Sequence, residues 1–225
     1  LFRPNAVLLL ADLGKLRRVV KERVAAELRV DGGIWDQHDS AIVFLEIPRA
    51  LDVGGGDVLL GLASDGVQSN GYSLVRKLVE VSGLNWADDC PFATGTLGAA
   101  LLAPTRLYVK PALSAINLGG VNALAHITGG GLTENIPRVL PDGMGVQIDL
   151  DSWDLPPVFQ WLAATGGMQS SELLKTFNCG IGMVLAVSAD RADALSRQLT
   201  AEGEKVSVLG CVTAGSSVVY KGSLL

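Results

Sequence analysis

Cysteine and histidine are scarce in this chain. Three cysteines, Cys90, Cys179 and Cys211, stand far apart in 225 residues, and His38 and His126 are the only histidines. A disulfide framework needs paired, regularly spaced cysteines, and a zinc site needs Cys-x-x-Cys or clustered His, so neither is expected and no metal ligands are assigned. Charge is also low: 18% charged residues against 48% hydrophobic is the reverse of a disordered chain. Basic residues are the minority, 18 against 23 acidic. The formal −5 that results excludes the electropositive footprint of a nucleic-acid-binding protein. Long apolar runs are missing, since stretches such as Ala6–Leu10 fall far short of the ~20 residues that span a bilayer. The chain opens Leu1-Phe2-Arg3 with no Met and no readable signal peptide, so a reducing, cytoplasmic setting without a membrane is expected.

Glycine, by contrast, is plentiful. Its 27 residues show no Gly-x-y period, which points to tight turns and backbone-lined sites rather than collagen. At ~150 residues per domain the length allows one or two domains. Gly54-Gly55-Gly56-Asp57 is the best internal break. Ahead of it, in residues 1–55, Leu13, Leu16, Val20 and Val24 recur at helical spacing, and Ala41–Ile47 reads as a short strand. After it, residues 56–225 have an α/β rhythm. Strands are expected at Val58–Ala63, Val121–Ile127, Val146–Leu150, Gly182–Val187, Lys205–Leu209 and Ser217–Tyr220. Helices are expected around Val75–Val79, over Ala99–Val109 with a cut at Pro104, over Thr133–Leu140, after Pro156-Pro157, and over Ala189–Glu202. The fold class is therefore α/β, a mixed sheet packed with layers of helices.

Three segments could carry chemistry. In the first, His126 leads through Thr128 into Gly129-Gly130-Gly131 and a helix containing Glu134, Asn135 and Arg138. A strand, three glycines and a helix start can present free N–H groups to an anion, with Arg138 as a bidentate partner, or can simply make a tight turn. Walker A and dinucleotide fingerprints are absent. His126 suits proton transfer near neutral pH, or is a structural histidine at a strand end. Glu134 and Asn135 are polar ligands or helix caps. In the second segment, Ser64–Gly71, a buried strand delivers Ser69 and Asn70 to a helix start, where they cap it or form a polar rim. The third, Thr176–Met183, contains Cys179, which reads as a small buried hydrophobe. Thr105 and Arg106 with Lys110 form either a solvated face or a phosphate clamp.

In their order, Gly56–Lys77, Leu101–Lys110, Ala125–Pro141 and Thr176–Met183 closely resemble phosphoribosylformylglycinamidine cyclo-ligase, or AIR synthetase, over roughly 56–220. The resemblance implies that family's C-terminal domain. It also implies ATP-dependent ring closure in purine synthesis: a formamide oxygen is phosphorylated, an amidine nitrogen attacks and phosphate leaves, giving aminoimidazole ribonucleotide. ATP and Mg2+ are the implied cofactors, and formylglycinamidine ribonucleotide is the implied substrate. In that setting Gly129–Gly131 and Arg138 fit anion binding, His126 fits proton transfer or oxyanion stabilisation, and Ser69 and Asn70 align with the family's polar loop. Two departures stand out. The family loop usually has His where this chain has Gln68. Residues 1–50 also lack the family's N-terminal segments Asp-Gly-x-Gly-Thr-Lys and Gly-Gly-Glu-Thr-Ala-Glu-Met, which form much of the ATP and Mg2+ site. The chain is therefore expected to be a fragment, one half of a split enzyme needing a partner chain or homodimer, or a non-catalytic nucleotide- or partner-binding relative.

Overall fold

Runs rich in Val, Leu, Ile and Ala form six strands in the computed structural model, which describes residues 53–225. They are β1 (Val58–Ala63), β2 (Val121–His126), β3 (Met144–Asp149), β4 (Ile181–Val187), β5 (Val206–Ala214) and β6 (Val218–Lys221). One mixed sheet results, in the order β2-β4-β1-β5-β3-β6. Only the β3–β6 pair is parallel. β1 and β4 lie inside the sheet and are covered on both faces, which is why they read as continuous apolar runs rather than alternating ones. Because β1 and β2 both run antiparallel to β4, their carboxyl ends emerge at the same end of the sheet, on either side of where β4 begins.

Seven α-helices flank the sheet among the described residues: α1 (Tyr72–Ser82), α2 (Leu97–Leu101), α3 (Val109–Leu118), α4 (Gly131–Asn135), α5 (Pro157–Gly166), α6 (Ser170–Thr176) and α7 (Ala192–Ala201). α1 packs on α5 and α4 on α6. Their apolar residues Val75, Leu78, Phe159, Leu162 and Leu173, with Phe177 just after α6, share one core with Leu59, Ala125, Val184 and Ile148 of the sheet. The alternate strand residues Leu60, Leu62, Leu124 and Leu185 are also buried, and α7, paired with α3, meets β1 and β5. The α/β layer architecture expected from the sequence is what forms.

Several boundaries differ from the sequence expectation for local reasons. The helix expected over Ala99–Val109 is two helices, α2 ending at Leu101 and α3 starting at Val109. Pro104 offers no N–H and pushes the residue before it out of the helical region, so 102–108 runs irregularly. Pro137 likewise ends α4 early and starts the separate 3-10 turn Pro137–Val139. Leu150 belongs to the 3-10 turn Leu150–Ser152, where the Asp149 carboxylate accepts the Asp151 N–H. β5 continues five residues beyond the expected Leu209, and α3 and α6 were not expected. α1 starts after Gly71, at φ 73, with no side-chain cap from Ser69, Asn70 or Ser73. The helix and strand expected within residues 1–50 lie outside the described residues.

Candidate functional site

Three segments meet at the end of the sheet where β1 and β2 finish. β1 delivers residues 64–71, β2 delivers 127–131, and 177–180 leads into β4. Asn178 ties the first to the third. Its side chain is fully buried between Phe177 and Cys179. The amide nitrogen donates to Gly66 O at 2.9 Å and Val67 O at 3.4 Å. The amide oxygen accepts from the Ser64 hydroxyl and the Gly180 N–H, both at 2.8 Å. A buried amide with all its main bonds made fixes the loop it holds. Cys179, at φ 50, is enclosed beside it, and burial pushes its thiol well above the ordinary range, so it is a packing residue and not a nucleophile.

Gln68 follows, with a left-handed φ of 58 and 2% of its surface exposed. Its amide nitrogen donates to the Tyr108 hydroxyl at 3.1 Å, and that hydroxyl donates to Ala63 O, the last residue of β1, at 2.8 Å. The Tyr108 ring lies 5.8 Å from the ring of His126, the last residue of β2. Tyr108 therefore links the ends of both strands. A Cβ on Gly182 would overlap the Tyr108 hydroxyl and crowd the Gln68 amide, so this arrangement requires glycine there. Burial lowers the His126 pKa below its ordinary value, so its imidazole is held in the neutral form at neutral pH.

The glycine loop is closed mainly on itself. The buried Asn135 amide donates to Thr128 O and Gly129 O at 3.2 Å and to Gly131 O at 2.8 Å. Its oxygen accepts from the Thr128 hydroxyl at 3.2 Å and Arg138 Nη1 at 3.1 Å. Arg138 also pairs with the Glu134 carboxylate at 3.1 Å. That carboxylate lies over Gly130, where a Cβ would meet it, and Gly131, at φ 57, abuts the carbonyls of Leu174 and Phe177. Gly130 and Gly131 are thus explained by close packing. Gly129 is different: it is exposed, and Asn70 Oδ1 would lie 3.9 Å from a Cβ there.

The rim around Gly129 contains part of the set expected from the sequence. Asn70 faces Gly129, and Ser69 Oγ lies 2.9 Å from Thr105 Oγ1. Arg106 is committed to two carboxylates, Asp65 at 3.0 Å and Glu204 at 2.9 Å, and it precedes α3 while Lys110 lies within it. Thr128, Glu134, Asn135 and Arg138 hold the loop together by bonding to one another. Beside the end of β1 is a separate cavity of about 110 Å3, lined by Ser64, Trp153, Asp154, Pro156 and Lys205 among others. Sites for ligands of nucleotide size run from about 300 Å3 upward. Among the described residues no group of three or more His, Cys, Asp or Glu is placed to hold a metal ion. No helix among them is long and apolar enough to cross a membrane.

Asn178 and the Gln68–Tyr108 pair are the residues that sequence reasoning missed as organisers of the site. The one legible signal was a lone polar side chain in the apolar approach to β4.

The family described as AIR synthase related protein, C-terminal domain, matches residues 54–222. Among solved structures, the E. coli hydrogenase maturation protein HypE is similar at 20% identity and a TM-score of 0.53, covering 77% of this chain and 48% of that one. A chain of a HypE–HypF complex gives 18% identity and a TM-score of 0.52, covering 75% and 50%. T. maritima PurL complexed with ADP gives 14% and 0.45, covering 77% and 24%. The chain thus spans about half the length of the first two of these chains, and identities this low speak for the fold alone.

Proposed function

The chain belongs to the family of AIR synthase related proteins through its C-terminal domain, and from that premise we propose that it is the C-terminal half of an ATP-dependent cyclo-ligase making aminoimidazole ribonucleotide from formylglycinamidine ribonucleotide. The observation that carries this reading is the convergence at the sheet end. Residues from three separate motifs, Ser69 and Asn70, Thr105 and Tyr108, and His126 and Gly129, face one another there. In this reading the domain starts at the Gly54–Gly56 break, and the family match from residue 54 supports that boundary.

The roles follow from chemistry. Ser69, Asn70, Thr105 and the exposed backbone at Gly129 offer donors to the ribose and phosphate of the substrate. Neutral His126 accepts the proton that the amidine nitrogen sheds when it attacks the formyl carbon. ATP, where bound, supplies the phosphoryl group that turns the formamide oxygen into a leaving group. Thr128, Asn135, Glu134 and Arg138 hold the loop shape. Residues for the triphosphate and Mg2+ come from a nucleotide-binding half, on the same polypeptide or on a partner chain. A cytoplasmic location goes with these substrates.

One observation favours a second reading, a non-catalytic ligand- or partner-binding relative. Both arginines expected to face phosphate, Arg106 and Arg138, already face carboxylates. An ADP-release assay with formylglycinamidine ribonucleotide, ATP and Mg2+ separates the two. The cyclo-ligase reading expects no turnover from this chain alone and turnover when the N-terminal half of a family enzyme is added. A chain that stays silent with that half, and does not bind the ribonucleotide, is the non-catalytic relative.

A further inference from the structure

Gln68 combines two features that a purely structural residue rarely combines. It holds a left-handed backbone without being glycine. Its amide oxygen, fully enclosed, has no hydrogen-bond partner. Strained backbone and unmet buried acceptors both concentrate where ligands bind.

Turning the amide over does not cure the deficit. As placed, the Tyr108 proton goes to Ala63 O and the Gln68 nitrogen donates to Tyr108, leaving the Gln68 oxygen unmet. Turned over, that oxygen would take the Tyr108 proton and Ala63 O would lose it. In either orientation the trio is one donor short. The backbone around Gln68 does not depend on its side chain, because Asn178 holds the carbonyls of Gly66 and Val67. The next residue, Ser69, is exposed and meets Thr105, and Asn70 meets Gly129. Gln68 is therefore the residue immediately before the rim already described.

We propose that the Gln68 oxygen is a specificity-determining acceptor that takes an N–H from the amidine end of the ligand, which reaches it by parting the Ser69–Thr105 hydroxyl pair. This rests on the substrate reading above and deepens it. An acceptor held in a closed pocket distinguishes an amidine from the matching amide. The amidine presents N–H2, whereas the amide presents a carbonyl oxygen that would face another acceptor. Sites built to hydrogen-bond one group reject the analogue lacking it far more strongly than apolar pockets do.

The test measures binding of formylglycinamidine ribonucleotide and of the matching amide, formylglycinamide ribonucleotide, by calorimetry, with melting temperatures of the ligand-free proteins. Wild type is expected to prefer the amidine by at least about tenfold. Gln68→Leu keeps the volume but removes the acceptor. It should bind both ligands alike while melting no lower than wild type, since it also removes an unmet polar atom. Gln68→Glu keeps an acceptor and should keep the preference, which guards against a Leu variant that fails to fold. The assignment is overturned if Gln68→Leu retains the preference, as it would if only a buried water meets the oxygen. It is also overturned if Gln68→Glu folds and loses the preference, or if Gln68→Leu melts well below wild type. Wild type binding neither ribonucleotide would overturn the substrate reading itself, a result distinct from wild type binding both with Gln68→Leu unchanged.

Discussion

Asn178 shows how one side chain sets the shape of a site it does not line. Its four bonds reach two separate segments, one of them more than a hundred residues away in sequence. Asn178→Ala would leave the Gly66 and Val67 carbonyls and the Gly180 N–H buried without partners. At ~1–3 kcal/mol for each unmet group, the expected loss is about 3 kcal/mol or more, read from the urea midpoint. A loss below about 1 kcal/mol would mean the loop is held by something else. At this scale little was legible beforehand. Ser69, Asn70 and Thr105 were picked out as polar residues at loop positions, and they do lie along one rim. What they touch was not readable, because Gln68 and Tyr108 stand 40 residues apart in the chain and only the sheet brings them together. The same holds for Arg106, which has the right chemistry for phosphate but finds Asp65 and Glu204 first.

At the scale of elements, α4 explains why three consecutive glycines need not all serve a ligand. It is five residues long, too short for a substantial helix dipole, and its first turn carries Glu134. Gly131 adopts φ 57 against two backbone carbonyls, so Gly131→Ala combines strain with overlap and should destabilise by more than about 2 kcal/mol. Gly129→Ala meets only Asn70 at van der Waals distance and should stay within about 0.5 kcal/mol of wild type. Thermal melts of the two variants side by side check this. Equal losses would show that the loop tolerates no side chain anywhere. The strands most legible in sequence were β1 and β4, because strands covered on both faces appear as unbroken apolar runs. Helix ends were least legible. Pro104 and Pro137 were visible, but where the chain resumed as α3 or as a 3-10 turn depended on packing against α7 and β2.

For the molecule as a whole, the clearest pH effect runs through His126. Burial lowers its pKa, so at acidic pH the folded chain binds fewer protons there than the unfolded chain. This contribution to stability is complete above the unfolded value of ~6.5 and falls as pH drops below it. Urea midpoints at pH 7.5 and pH 5 should therefore converge for His126→Gln relative to wild type. Parallel acid losses in both proteins would place the effect in the carboxylates instead. The two ends of the sheet have different tasks. At the end away from the rim, Asn122 donates to Asp57 at 2.8 Å and to Ser188 at 3.1 Å, tying together β2, the residue just before β1 and the exit of β4. Strand registers are thus locked at one end, while the loops of the candidate rim hang from the other. A scaffold divided in this way can exchange its chemistry loop by loop without renegotiating its core, and a fold shared at 20% identity with a hydrogenase maturation protein is what that freedom would leave behind.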